Sequence, residues 1–145
     1  MGRGILRPCL YVVIENLDQP HLRTDPIPMV VDTGADHCIF ARELAPEIGI
    51  NVDGDGGRLQ RVFPLGGEPR LIREYPVQIT IPQIGHRFSL WARFDSFANG
   101  GNGVLGYGGF LSFLDIRFFY RERLQILDVR SKVTGDGVGV GGFPA

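Results

Sequence analysis

Glycine and proline interrupt this chain at short intervals, with 21 glycines and 10 prolines among its 145 residues. This content is high for a helical protein and favours many short strands joined by tight turns. A chain of this length fits one globular domain that buries a core without disulfide staples. No apolar run approaches the roughly 18 residues of a membrane-spanning helix. The N-terminal residues lack the long apolar segment of a signal peptide, so the sequence predicts a cytoplasmic protein without a membrane segment.

Charge and cysteine content limit the kinds of partner. Fifteen basic and sixteen acidic residues leave a formal net charge of -1. The basic residues are spread along the chain, so no nucleic-acid partner is expected. Cys9 and Cys38 are too few for a disulfide framework and have no metal-ligand spacing. Both are expected to be buried as small apolar residues.

Alternating and β-branched runs predict eight or nine short strands with one or two small helices. The predicted strands are residues 10–14, 27–31, 38–40, 59–63, 71–81, 88–94, 103–106, 115–119 and 124–129, and the helical segments are residues 42–48 and 110–114. Paired glycines in residues 64–68 suit a hairpin tip, and Trp91 is expected in the strand core. The sequence therefore predicts an all-β domain over residues 1–130, followed by a glycine-rich, mobile tail over residues 131–145.

The segment VVDTGAD, residues 30–36, carries an acid from the end of an apolar strand into a turn of small residues. A carboxylate at a strand end is positioned rigidly. Gly34 lets backbone N–H groups approach the Asp32 carboxylate closely, and Thr33 adds a hydroxyl that can brace the turn. The other interpretation is an ordinary turn, since Asp, Thr and Gly all favour turns.

Three landmarks follow one another along the chain: the acidic turn at residues 30–36, the glycine-tipped hairpin at residues 64–68 and the segment VLG at residues 104–106. Their order resembles that of retropepsin-like aspartic proteases, the retroviral-type, single-domain relatives of pepsin. In that family a hairpin flap follows the catalytic loop, and two apolar residues and a glycine precede a short helix. Three landmarks in order are more specific than any one of them. The resemblance covers residues 10–129 and suggests a bacterial or cellular member.

The resemblance implies an all-β, pepsin-like half-barrel that acts as an aspartic endopeptidase. Aspartic proteases place two carboxylates about 3 Å apart that share one proton. This chain has one Asp-Thr-Gly, so Asp32 would meet its counterpart across a homodimer. The implied substrate is an extended polypeptide, and no cofactor is implied. The implied catalytic residues are Asp32, Thr33 and Gly34, and the implied substrate-binding residues are Ala35, Asp36, Phe63, Leu65, Gly66, Gly67 and Val104.

One departure from the family pattern leaves a second class of function open. Retroviral members usually have an Arg directly after the apolar-apolar-Gly motif, where it pairs with the acid that follows the catalytic loop. Tyr107 stands in that place here, which leaves Asp36 without this partner unless Arg7 or another Arg replaces it. The alternative is a non-catalytic binding or dimerisation module that kept the fold.

Three other motifs are weaker. Residues 51–56 match the first half of an EF-hand loop, but Val62 occupies the position that requires a bidentate Glu. Residues 101–106 spell a dinucleotide fingerprint, yet the leading strand, long helix and later acid that it needs are missing. His37 and Cys38 are adjacent in a strand, so their side chains point to opposite faces. Cys38 is expected to point inward and His37 to face solvent.

Overall fold

The structure is a computed structural model, and it describes residues 8–97, 100–118 and 124–129. Within these ranges the chain forms nine strands, one single-turn α-helix and one 3-10 turn. The strands are β1 (Cys9–Asn16), β2 (Ile27–Val31), β3 (Cys38–Ala41), β4 (Arg58–Val62), β5 (Arg70–Ile81), β6 (His86–Asp95), β7 (Gly103–Leu105), β8 (Leu114–Phe118) and β9 (Leu124–Val129), with α1 at Leu44–Glu47 and the 3-10 turn at Leu111–Phe113. The prediction of an all-β fold is confirmed.

Seven strands form one sheet in the order β1-β2-β7-β3-β6-β5-β4, and β1 also pairs with β5. This additional pairing closes six strands into a barrel and leaves β4 outside the ring as a hairpin partner of β5. β2 and β7 run parallel, as do β3 and β6. Closure removes the free edges that an open sheet would expose. β8 and β9 form a separate antiparallel pair.

The inside of the barrel is the hydrophobic core. Alternate residues of the strands point inward, and Ile14, Met29, Phe40 and Val77 are fully buried. Phe94 packs edge-on against Phe40, with 5.9 Å between the ring centroids. Burying a large apolar side chain of this kind contributes about 1.5–3 kcal/mol. The core therefore fixes β2, β3 and β6, the strands that surround the loop after β2.

A second row of side chains lies on the outside of the barrel. Val30 pairs in register with Val104, Val104 with Ile39, and Ile39 with Arg93. Register partners on neighbouring strands project to the same side of a sheet. We call these four half-buried residues the outer row. The row ends at β2, two residues before the candidate acid Asp32.

Two side chains lie elsewhere than the sequence predicts. Cys9 is exposed on β1, whereas Cys38 is buried as expected. Trp91 is 37% exposed, and the Arg58 guanidinium stacks on its ring at 4.1 Å from the centroid. Strand alternation explains the position of Trp91, because its neighbours Leu90 and Ala92 point into the core.

The predicted tail lies beyond the part of the chain that the structure describes. Residues 131–145 and the boundary at residue 130 are outside the described residues, so both stay predictions. Among the residues that are described, no helix is long and apolar enough to span a bilayer.

Candidate active site

Asp32 lies directly after β2, at the C-terminal end of the parallel pair that β2 forms with β7. Its N–H donates to the Leu105 carbonyl oxygen at 3.0 Å. This bond extends the ladder one residue beyond the strand. Because parallel strands end at the same edge of a sheet, the loop after β2 and the loop after β7 meet there. The backbone of Asp32 is therefore anchored to the barrel.

The turn after β2 holds the Asp32 carboxylate. The Gly34 N–H donates to Asp32 Oδ1 at 2.9 Å, and the Ala35 N–H donates to the Asp32 carbonyl oxygen at 3.3 Å. Asp32 is half-buried, while Thr33 and Gly34 are exposed. One carboxylate oxygen is thus braced by the backbone in a turn that stays open to solvent. A group that exchanges protons with water or a substrate needs both properties.

The loop after β7 packs against this turn through backbone atoms. The Tyr107 N–H donates to the Ala35 carbonyl oxygen at 2.7 Å. A Cβ on Gly106 would overlap the His37 carbonyl oxygen and lie 2.7 Å from that of Ala35. Glycine is the residue that permits so close an approach. The two motifs identified in the sequence are therefore in direct backbone contact.

A cleft of about 310 Å³ opens beside these loops and under the β4–β5 hairpin. The loop after β2 contributes Ala35, Asp36 and His37 to its lining, and β3 contributes Ile39. The hairpin contributes residues 61–64 and Arg70, and β6 contributes Arg93. We call this space the hairpin cleft. Asp32 is not among its lining residues.

The predicted substrate-binding residues fall into two groups. Ala35, Asp36 and Phe63 line the hairpin cleft. Val104 belongs to the outer row, beside Ile39, which also lines the cleft. Three of these four residues therefore line the cleft, and Val104 lies next to its wall. Leu65, Gly66 and Gly67 lie apart from it, at the tip of the hairpin.

The hairpin tip is an exposed turn. The Gly67 N–H donates to the Pro64 carbonyl oxygen at 3.1 Å, and Gly66 has a φ of +68°. That backbone conformation favours glycine. Leu65 at the tip is fully exposed, and Phe63 at its base is 72% exposed. An exposed apolar tip suits a segment that closes over a ligand.

A buried carboxylate that the sequence analysis missed links the hairpin to the loop after β2. Glu74 of β5 is 1% exposed. Its Oε2 accepts hydrogen bonds from Nε and Nη2 of Arg58 at 3.1 and 2.9 Å. Its Oε1 lies 3.1 Å from His37 Nδ1, without the alignment of a hydrogen bond. His37 was predicted to face solvent, and its side chain is 37% exposed; the sequence did not predict that the ring also lies against Glu74.

Part of this network had a signal in the sequence. Glu74 and Arg58 are register partners in the hairpin, and opposite charges that face each other across two strands stabilise the pair. Counting outward from the predicted tip would have put the two residues opposite each other. The contact with His37 had no such signal, because it depends on how the barrel closes.

Cys38 is unsuited to act as a nucleophile at this site. Its side chain is buried, with Sγ 3.8 Å from the Gly108 carbonyl oxygen. Burial raises the pKa of the Cys38 thiol to about 12, a hydrogen bond with the Gly106 backbone opposes the rise, and the Glu74 charge adds to it. The thiol therefore stays protonated at neutral pH.

Backbone contacts hold the loop at Asp36 without an arginine from position 107. Tyr107 stands there and is 59% exposed. The Asp36 carbonyl oxygen accepts a hydrogen bond from the Gly108 N–H at 2.9 Å. With the described residues, the Asp36 carboxylate forms no ion pair. Arg7, considered above as a substitute, lies outside the described residues.

The acidic loop at residues 51–56 folds as a turn. Asn51 Oδ1 accepts a hydrogen bond from the Asp53 N–H at 3.0 Å, and the Asp53 carboxylate pairs with Arg42. In the described ranges, no three His, Cys, Asp or Glu side chains are grouped so that they could hold a metal ion. An arginine therefore engages the acid that a calcium loop would use as a ligand.

Comparison with known proteins gives little support for a function. No protein-family model matches this chain, and no curated protein matches it significantly. Among solved structures, the chain is similar to an EIAV protease complexed with the inhibitor HBY-793, with 18% identity and a TM-score of 0.38 over 70% of this chain and 83% of that one. A shared function does not follow from similarity at this level.

Proposed function

We propose that this chain is one half of a homodimeric aspartic endopeptidase of the retropepsin type, with Asp32 as the catalytic carboxylate of each copy. The position of Asp32 carries the proposal. The residue follows a parallel barrel strand, the Gly34 N–H braces one of its oxygens, and a second glycine turn after β7 packs against its loop. These contacts give a carboxylate a fixed direction without removing it from solvent.

Two copies of Asp32 are needed because the chemistry divides between two carboxyl groups. At about 3 Å apart, the two cannot both ionise, so they share one proton and titrate as a pair. The ionised group takes a proton from water as the water oxygen bonds to the scissile carbonyl carbon, and the neutral group gives its proton to the carbonyl oxygen. The diol then collapses: its proton passes through the pair to the leaving nitrogen, the C–N bond breaks, and the pair again holds one proton.

The other predicted residues have roles in binding and assembly. Thr33 would hydrogen-bond across the two-fold axis and brace the two loops. Gly34 would let the substrate backbone approach closely. The hairpin segment from Phe63 to Glu68 would fold over the bound peptide and exclude water from the carboxylate pair. An extended peptide would then run past the hairpin cleft as an added strand.

One observation favours the alternative, a non-catalytic binding or dimerisation module. Tyr107 stands where the family's arginine would pair with the acid after the catalytic loop, and the Asp36 carboxylate has no ion pair with the described residues. A module that only binds has no need of the Asp32 carboxylate. The two functions therefore differ in what happens when that carboxylate is removed.

Asp32→Asn tests the proposal. The exchange keeps the shape of the side chain and removes the charge that a shared proton requires, so we expect peptide cleavage to fall by a factor on the order of 1,000 or more. Asp18→Asn is the matched control, since Asp18 is exposed and lies away from the site. Cleavage of a quenched fluorescent peptide by the purified proteins is the measurement. Equal cleavage by wild type and Asp32→Asn would remove Asp32 from the catalytic role.

A further inference from the structure

The hairpin cleft has an excess of positive charge. Arg61, Arg70 and Arg93 are among its lining residues, against one carboxylate, that of Asp36. The other lining residues are apolar, apart from His37. A cleft with several arginines and apolar walls is suited to an acidic side chain on a polypeptide, because guanidinium groups bind carboxylates through paired hydrogen bonds.

Two of the three arginines have no acidic neighbour that neutralises them. Arg61 and Arg70 form no ion pair with any residue that the structure describes. Arg93 uses Nη2 to contact Asp95 Oδ2 at 3.1 Å, while its Nε is buried without a hydrogen-bond partner. A buried donor without an acceptor is costly. The exposed Arg70 therefore has N–H groups available for an incoming oxygen, whereas the buried Nε of Arg93 would reach one only after its side chain moves.

Strand register directs two of the three arginines toward the cleft. Arg70 of β5 is the register partner of Val62 of β4, and both project to the face of the hairpin on which Ile72 is buried. Arg93 belongs to the outer row, next to Ile39 of the cleft wall. Arg61 lies on the opposite face of β4, so we assign it no role in recognition.

Two carboxylates near the cleft, Glu74 and Asp95, already have partners. Arg58 holds Glu74, with His37 on its other side, and Arg93 contacts Asp95 through one nitrogen. Asp36 is the remaining acid in the cleft. An additional carboxylate would thus meet two arginines and one like charge.

We infer that the hairpin cleft binds an Asp or Glu side chain of the substrate, with Arg70 and Arg93 as specificity-determining residues. The inference rests on the proposed function, since it is the loop of Asp32 that forms one wall of the cleft. The acid would lie beside the scissile bond rather than at it, because Asp32 does not line the cleft. The apolar residues Val62 and Ile39 of the cleft would contact the aliphatic part of the same acidic side chain.

The test uses a series of synthetic peptides that share an apolar pair at the centre. Each peptide has one Glu at a different position outside this pair. Each is compared with a matched peptide that has Gln at the same position. We expect one position at which wild type cleaves the Glu peptide about tenfold faster than its Gln match, the size of one charge-assisted hydrogen bond. Arg70→Gln should abolish this preference, so that the Glu peptide and its Gln match are cleaved at equal rates. Arg93→Gln should reduce the preference as well.

Arg23→Gln is the matched control, because it removes the same charge from an exposed residue outside the cleft. The Arg23→Gln variant should keep the preference for the Glu peptide over its Gln match. Raising the salt concentration should weaken the preference of wild type, since it screens a partly exposed ion pair.

Fluorescence anisotropy with the same labelled peptides separates the two proposals. Cleavage without preference for Glu at any position would overturn the inference and leave the peptidase function intact. Arg70-dependent binding of a Glu peptide without cleavage would overturn the function and leave the cleft as an acid-binding site. A Glu preference that survives both Arg70→Gln and Arg93→Gln would also overturn the inference.

Discussion

At residue 106 the backbone of one loop touches the backbone of another. The Gly106 Cα faces the carbonyl oxygens of Ala35 and His37, which leaves no space for a side chain. The same loops are joined by the hydrogen bond from the Tyr107 N–H. Through these contacts, the loop after β7 sets the shape of the turn that holds Asp32.

Gly106→Ala should therefore destabilise the protein, with a loss in unfolding free energy of about 1–3 kcal/mol, the usual cost of overpacking. Gly101→Ala is the control, because a Cβ there meets nothing within 4 Å. It should leave the stability unchanged or raise it slightly. Urea unfolding of the two variants measures the difference. Equal stability of the two would mean that the loops are not packed as described.

Single residues differ in how far the sequence reveals them. Asp32 and Gly34 were predictable because the turn that joins them is local, and the 2.9 Å hydrogen bond between them spans two residues. The burial of Glu74 was not predictable, because a glutamate in a strand of alternating pattern is expected to face solvent. Its surroundings come from β4 and from the loop at His37, which meet it only after the barrel closes.

At the scale of elements, β5 connects the candidate site to the barrel. Its C-terminal part pairs with β1 and β6, and its N-terminal part pairs with β4 to form the hairpin. Glu74 lies in the N-terminal part of β5. Its carboxylate contacts Arg58 of β4 and His37 of the loop after β2. The hairpin is thus tied to the Asp32 loop by one carboxylate.

Glu74→Gln should loosen this connection. Removing the charge weakens the paired hydrogen bonds from Arg58, and we expect a loss of about 1–3 kcal/mol in unfolding free energy. Peptide cleavage should fall about tenfold, because the hairpin and the loop lose their fixed relation, and 1.4 kcal/mol corresponds to tenfold. Urea unfolding and steady-state kinetics are the measurements.

The chain offers a matched control for that prediction. Glu15 is also 1% exposed and accepts hydrogen bonds from Thr80 at 2.9 Å and from Arg87 at 3.4 Å, in a network that has no residue of the hairpin cleft. Glu15→Gln should destabilise the protein comparably and leave kcat/KM within about twofold of wild type. Equal losses of activity in the two variants would contradict a positioning role for Glu74.

The elements themselves followed from local pattern, whereas their pairing did not. Residues 27–31 and 124–129 were predicted with the bounds that the structure has. The predicted helix at residues 42–48 shortens to Leu44–Glu47, since Pro46 and Gly49 limit its length. The parallel pairs β2–β7 and β3–β6 join segments far apart in sequence, and one sequence by itself has no signal for such contacts.

At the scale of the whole molecule, a closed barrel carries a single Asp-Thr-Gly turn. The barrel of one copy has a hydrophobic core of its own. The proposed chemistry needs a second copy, because each copy supplies one of two carboxylates. Stability and activity should therefore depend differently on protein concentration. One chain folds by itself, so its stability should not change with concentration. Catalysis needs two chains, so activity per chain should fall on dilution.

Mixing wild type with Asp32→Asn tests this claim most directly. If the two carboxylates come from two copies, dimers that contain one Asn are inactive, and an equal mixture at constant total protein should retain about a quarter of the wild-type activity after subunit exchange. A mixture with Asp18→Asn should retain all of it. Cleavage at half the wild-type rate in the Asp32→Asn mixture would mean that each chain acts alone and would contradict a shared active site.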